Sequence, residues 1–141
     1  YIENTFAAYF ETTLGDAFYD RLLEMTKAYP ALVVKTERGQ VVGFAFLHAF
    51  HPASSFKRTA EITYFIHPEH IHRGLGGMLL QHLIPAARRM GIDNLLASIS
   101  SLNSISLDFH RKQGFTECGR LSHTGRKKGQ DFDVVWMQKR I

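Results

Sequence analysis

Two stretches of this chain combine residue types that suit holding an anion and moving a proton. The first reads His67-Pro68-Glu69-His70-Ile71-His72-Arg73-Gly74-Leu75-Gly76-Gly77. Glycines let the backbone turn sharply and present its N–H groups, and the start of a following helix adds the positive end of its dipole. A pyrophosphate is the natural guest of such a turn, and Arg73 can add a side-chain contact. A plain turn entering a helix uses the same glycines, so a short Gly-x-Gly leaves both readings open. The second stretch reads Asn103-Ser104-Ile105-Ser106-Leu107-Asp108-Phe109-His110-Arg111-Lys112-Gln113-Gly114-Phe115. It sets Asn103, Ser106 and His110 on one helical face. His67, His70 and His72 have the spacing His-x-x-His-x-His, which zinc can use. They overlap the anion turn, however, and no metal site is expected. Cys118 falls in a strand with no evident partner base and is read as core packing, not as a nucleophile.

These residues need elements to hold them. Residues 1–8 read as the tail of a helix. Asp16 is a plausible N-cap for a helix over 16–29, with Leu22, Met25 and Tyr29 on one face and Pro30 as its stop. Ala31–Lys35 and Val41–Ala49 read as a hairpin around Glu37-Arg38-Gly39-Gln40. A polar loop over 51–58 leads to a strand over 60–67, ended by Pro68. The period then changes: Leu75, Leu79, Leu83, Ala86 and Met90 share a helical face, and Gly91 ends it. Pro85 inside this helix predicts a kink or a local break. Asn94–Ser100 is a strand. Asn103 caps a helix that ends at Gln113, with Gly114 as a left-handed stop and Phe115 folding back. Strands over 115–123 and 132–138 close the chain. The order mixes α and β, with one sheet crossed by helices.

The chain has 141 residues, 45% of them apolar, which fits a single domain able to bury a core without staples. The longest apolar stretch, residues 41–47, is too short to cross a bilayer, and no signal-peptide pattern is read at the start. One cysteine rules out an internal disulfide and fits a reducing, cytoplasmic setting. The charge of +4 favours anionic partners. Its basic clusters are short and lack interleaved aromatics, which argues against nucleic acid.

Taken together, the two stretches resemble the GNAT superfamily of N-acetyltransferases, and within it the phosphinothricin and methionine sulfone acetyltransferases. Tyr29-Pro30, the strand carrying Ala60-Glu61 and the turn Gly125-x-Lys127-x-Gly129-x-x-x-Asp133 add to the likeness, which runs from about Asn4 to the C-terminus. The resemblance implies one α/β (α+β) GNAT domain over 1–141. Its sheet would be mixed and mostly antiparallel, with flanking helices and two central parallel strands, 61–67 and Asn94–Ser100, that splay apart. It implies acetyl-CoA as acetyl donor and no metal. The backbone of Tyr64, Phe65 and Ile66 would bond the acetyl-pantetheine. His72, Arg73, Gly74, Leu75, Gly76 and Gly77 would cradle the pyrophosphate, and Asn103, assisted by Ser106, would contact the pantetheine. Such a reaction needs a base for the amine, donors for the oxyanion and a proton for the leaving thiolate. By resemblance Glu61 is the base, through water, with a cross-strand ion pair as its alternative role. His110, as imidazolium, would protonate the sulfur, or would itself be the base. The acceptor would be the amine of a small molecule, with amino-acid-like amines among the candidates, and the protein a homodimer with no membrane or nucleic-acid partner. A CoA-binding module without turnover and an enzyme acting on protein amines are the rival readings.

The chain departs from the family pattern in three places. Ile71 stands three residues before the first glycine of Gly-x-Gly, where Arg or Gln is usual, so weaker or adjusted phosphate binding, not its loss, is expected. Phe50-His51-Pro52-Ala53 replaces a Phe-Arg-Pro-Arg loop whose arginines suit a substrate carboxylate, which weakens the expectation of phosphinothricin-like or methionine-derived acceptors. A strand and most of a helix that the family places ahead of Asn4 are absent, so a truncated version is expected.

Overall fold

The computed structural model describes residues 3, 5–12 and 15–141. Among the described residues, three α-helices are interleaved with six strands: α1 (Asp16–Thr26), β1 (Ala31–Lys35), β2 (Val41–Ala49), β3 (Thr59–Ile66), α2 (Leu75–Arg89), β4 (Asn94–Ser100), α3 (Ser104–Lys112), β5 (Thr116–Lys127) and β6 (Gln130–Arg140). The strand order is β1-β2-β3-β4-β6-β5. The chain divides into two compact units, one holding residues 20–95 with 140–141, the other residues up to 19 with 96–139. No helix among the described residues is long and apolar enough to cross a membrane.

In the first unit, β1 and β2 form the expected hairpin, closed by Gly39 at φ 83° and by its N–H donating to the Thr36 carbonyl at 2.8 Å. β3 then pairs antiparallel with β2, with Gly43 opposite Ile66 and His48 opposite Glu61. Alternation sends Ala45, Leu47, Ala60 and Ile62 to one face of this ladder, and all four are buried. Leu79, Leu80, Leu83 and Ala87 supply the buried stripe of α2, which packs on β1, β2 and β3. Each fully buried Leu contributes about 1.5–3 kcal/mol. The helix runs without a break through Pro85, where a kink or a local break was expected. Pro85 and Gln81 are both exposed, so the carbonyl that loses its partner can face solvent.

In the second unit, residues 5–12 form turns and bends, not the expected helix tail; Tyr1, Ile2 and Asn4 lie outside the described residues. The Ala7 N–H donates to Thr5 Oγ1 at 3.1 Å, a local bond that competes with helix formation. The Thr5 and Ala8 carbonyls accept instead from Lys127 Nζ at 2.7 and 2.6 Å. Lys127 is almost wholly buried, and that burial lowers its pKa from the ordinary lysine value. Lys128 and Gly129, at φ 51° and 74°, make the tight turn that joins β5 to β6. Across that hairpin Gly125 faces Phe132. The Phe132 ring lies over the glycine and stacks on Tyr9, with centroids 5.8 Å apart.

Two smaller expectations also change. α1 ends at Thr26 and Met25 is exposed, so Phe18, Leu22 and Thr26 make its less exposed face. Cys118 is exposed on β5 and is not core packing. β5 is the outermost strand, every residue over 116–124 is exposed, and its register shifts break the alternation that would turn one side inward.

Gly125→Ala should lower the unfolding free energy by about 1–3 kcal/mol, because a Cβ there overlaps the Phe132 ring. Gly119→Ala, where the new methyl would lie 3.9 Å from Trp136 Cβ, should be close to neutral in the same denaturant titration. Lys127→Met should cost about 1–3 kcal/mol, since it strands two carbonyls that the ammonium now satisfies. Faster amide exchange around residues 5–8 would accompany that loss.

Candidate active site

β3 carries the first set of candidate residues. The His67 N–H donates to the Val42 carbonyl at 2.8 Å, which fixes the hydrogen-bonding phase of the β2–β3 ladder. Alternation then turns the N–H and C=O of Phe65 toward β2, opposite Phe44, and those of Tyr64 and Ile66 away from it. Of the three residues expected to bond a pantetheine through their backbone, Tyr64 and Ile66 have suitably directed groups, while Phe65 is committed to the ladder. The Phe65 ring instead packs on Phe44, with centroids 5.1 Å apart. Burial pushes the Tyr64 hydroxyl far above the ordinary phenol range, so it stays un-ionised.

Glu61 shares its face of the β2–β3 ladder with Phe44, Phe46, Thr63 and Phe65. In this apolar setting burial raises its pKa above the ordinary carboxylate value, and the charge of His48 works in the opposite direction. Its Oε2 lies 3.9 Å from Nε2 of His48. The cross-strand pair held open as an alternative for Glu61 is therefore present. Spacing along the chain gives no sign of its partner, because the pairing follows from hairpin register.

The glycine turn follows β3. Residues Pro68–His70 make one 3-10 turn, capped weakly by His67 Nδ1 accepting from the Glu69 N–H at 3.4 Å. His72 sits in left-handed backbone at φ 61°, an unusual place for a side chain with a Cβ, and Gly74 follows at φ 77°. Gly74 is the N-cap of α2, makes no side-chain cap, and is followed by a first turn without acidic residues. The N–H groups of Leu75, Gly76 and Gly77 belong to the first helical turn, which has no intrahelical acceptors for them. These donors, with Arg73 exposed beside them, fit the diphosphate of a nucleotide. Ile71 is half-buried in extended backbone and adds no donor through its side chain. Among the described residues, no group of three His, Cys, Asp or Glu could hold a metal ion.

The second unit carries the other candidates. Asn103 caps α3, its side chain accepting from the Ser106 N–H at 3.1 Å. One turn further, His110 Nδ1 lies 2.8 Å from the Ser106 carbonyl and 3.3 Å from Ser106 Oγ. A carbonyl only accepts, so Nδ1 carries the hydrogen, and in the neutral ring the lone pair is on Nε2. Phe115 folds back as expected. Its N–H donates to the His110 carbonyl at 2.9 Å, and its ring meets the imidazole edge-on at 5.0 Å. His110 is only 3% exposed; burial lowers its pKa, and the Ser106 carbonyl offsets part of that. Neutral imidazole is thus favoured, which suits a proton acceptor better than an imidazolium donor.

Comparison with known proteins bears on the same residues. Residues 1–115 match the model of the Acetyltransferase (GNAT) family. The L-methionine sulfoximine/L-methionine sulfone acetyltransferase of Pseudomonas aeruginosa strain PAO1 is 33% identical over 141 residues, covering 97% of this chain and 81% of the relative. A crystal structure of ribosomal-protein-alanine N-acetyltransferase from Brucella melitensis superposes with a TM-score of 0.89 at 36% identity, covering 99% of this chain and 87% of that one. The phosphinothricin acetyltransferase of Sinorhizobium meliloti, solved in complex with AcCoA, superposes with a TM-score of 0.91 at 30% identity, covering 99% and 77% of the two chains. A matched segment that contains β3, the glycine turn and α3, with likeness extending over nearly the whole chain, makes this protein a member of the acetyltransferase (GNAT) family.

Proposed function

We propose that this chain transfers the acetyl group of acetyl-CoA to the amine of a small, amino-acid-like molecule, with residues 1–141 acting as one catalytic domain. The observation that carries the reading is Glu61, a half-buried carboxylate on an aromatic face of β3, in a family of acetyltransferases. Likeness to the methionine sulfone and phosphinothricin acetyltransferases supports the choice of acceptor. Acetyl-CoA supplies an activated thioester, and the residues of this chain do the rest. The N–H groups of Leu75, Gly76 and Gly77, with Arg73, hold its diphosphate, and His72 shapes the turn. The outward backbone groups of Tyr64 and Ile66 hold the pantetheine arm and donate to the oxyanion. Phe65 packs on Phe44. Asn103 adds its amide NH2, since its oxygen is used in the cap, and Ser106 fixes the His110 ring. Glu61 takes a proton from the amine, and His110 serves as a second proton acceptor and relays a proton to the departing sulfur.

A cytoplasmic homodimer belongs to this reading. The single, exposed thiol suits a reducing compartment, and the fully exposed stretch of β5 offers a surface for a second copy. A second reading, acetylation of a protein amine, is supported by the likeness to the Brucella ribosomal-protein-alanine N-acetyltransferase.

Thiol release from acetyl-CoA should be seen with at least one member of a panel of amino acids, methionine sulfone and phosphinothricin. Glu61→Gln should cut kcat about 100-fold and His110→Ala at least tenfold. Release with an alanine-ended peptide alone selects the second reading. Acetyl-CoA binding with no release from any amine selects a non-catalytic module. Because the Glu61 pKa is raised, its carboxylate forms only above the ordinary range, so activity should climb with pH through that elevated midpoint and the limb should vanish in Glu61→Gln. Gly74→Ala, which forces a Cβ into left-handed backbone, should weaken acetyl-CoA binding severalfold by calorimetry.

A further inference from the structure

We propose that His48 is a positioning residue for Glu61, an imidazole held across the β2–β3 ladder beside the carboxylate and aimed at it. The proposal rests on Glu61 being the base. Four observations support it. His48 and Glu61 are direct partners in the register, so their side chains leave the same face of the ladder. Nε2 and Oε2 are 3.9 Å apart, an ion-pair contact too long for a direct hydrogen bond, which makes the coupling electrostatic. The two side chains are only 17% and 22% exposed, so solvent screens that coupling incompletely. His48 Nδ1 lies 3.2 Å from the Ala49 carbonyl, which can only accept. Nδ1 therefore keeps its hydrogen, and Nε2 is the nitrogen that faces Glu61. The ring is braced from the side by Phe46, at a centroid separation of 5.9 Å.

No other charge in this unit takes the place of His48. Lys35 ends β1 opposite Val41, at the far end of β2 from His48. Arg58, at the head of β3, donates Nε to Asp93 at 2.9 Å. His51 packs its ring on Phe56, with centroids 4.7 Å apart. The charged residues of α2, Arg88 and Arg89, and its His82 are exposed, and so are Asp20, Arg21 and Glu24 of α1. A protonated His48 favours the ionised carboxylate; a neutral one withdraws that support.

One experiment tests the pair. The pH profiles of kcat are measured for wild type, His48→Phe, His48→Gln and Glu61→Gln. Phe keeps the ring packing on Phe46, and Gln serves if Phe disturbs folding. Loss of the cationic partner makes Glu61 harder to ionise, so the acid limb should move up by about one pH unit while KM for acetyl-CoA stays fixed. If Glu61→Gln removes the acid limb but both His48 variants keep it at the wild-type pH, the proposal is overturned and the base assignment survives. If the limb persists in Glu61→Gln, the base assignment itself fails and takes the positioning role of His48 with it.

Discussion

The register of β2 against β3 is the constraint on which the candidate site depends. One main-chain bond, from the His67 N–H to the Val42 carbonyl, sets its phase. A slip by one residue would exchange the faces of both strands. Glu61 would move into the position now held by buried Ala60 or Ile62, and the backbone groups of Tyr64 and Ile66 would turn into the ladder. Gly43 helps to hold the register. A Cβ there would lie 2.7 Å from Ile66 Cδ1 and 3.0 Å from the Phe65 carbonyl oxygen, so the close approach of the two strands at this end favours a residue without one. The same phase hands the chain from the end of β3 directly to the 3-10 turn and the glycine turn. One ladder thus orients the carboxylate, the outward backbone donors and the start of α2.

The other unit solves a different problem. Its early residues have no ladder to join, and their carbonyls are held by the ammonium of Lys127. A buried lysine is costly unless it is well supplied with acceptors, and here two carbonyls supply it. Asp133 makes a similar local bridge. Its main-chain N–H and C=O both engage Ser101, at 2.9 Å each, while its carboxylate accepts from the His123 N–H and from Arg120. Lys127, Gly129 and Asp133 all belong to the motif that carried the family likeness. In this structure their visible work is to fix backbone.

The elements that were legible in the sequence are those set by local rules. β1, β2 and β4 have the expected limits, because apolar runs bounded by turn residues define them. The Asn103 cap and the fold-back at Phe115 follow from an Asx residue at one end of α3 and a glycine at the other. Glu61, His110 and the glycine turn were legible through family resemblance together with their residue types. What escaped depends on contacts distant in the chain. His48 acquires its meaning only when two strands pair. The burial that lowers the His110 pKa involves Phe109 and Phe115, whose rings pack against the imidazole. Cys118 was misplaced because an isolated strand pattern does not reveal that β5 is outermost and that its register shifts expose both sides.

That placement of the only cysteine has a practical side. Its thiol stands 3.5 Å from the Trp136 carbonyl, on an outer strand that carries none of the residues to which chemistry is assigned in this protein. A maleimide dye or nitroxide would attach at this one point without any engineered substitution. The indole of Trp136, the chain's single tryptophan, lies on the neighbouring strand and would serve as a built-in donor or quencher for such a label.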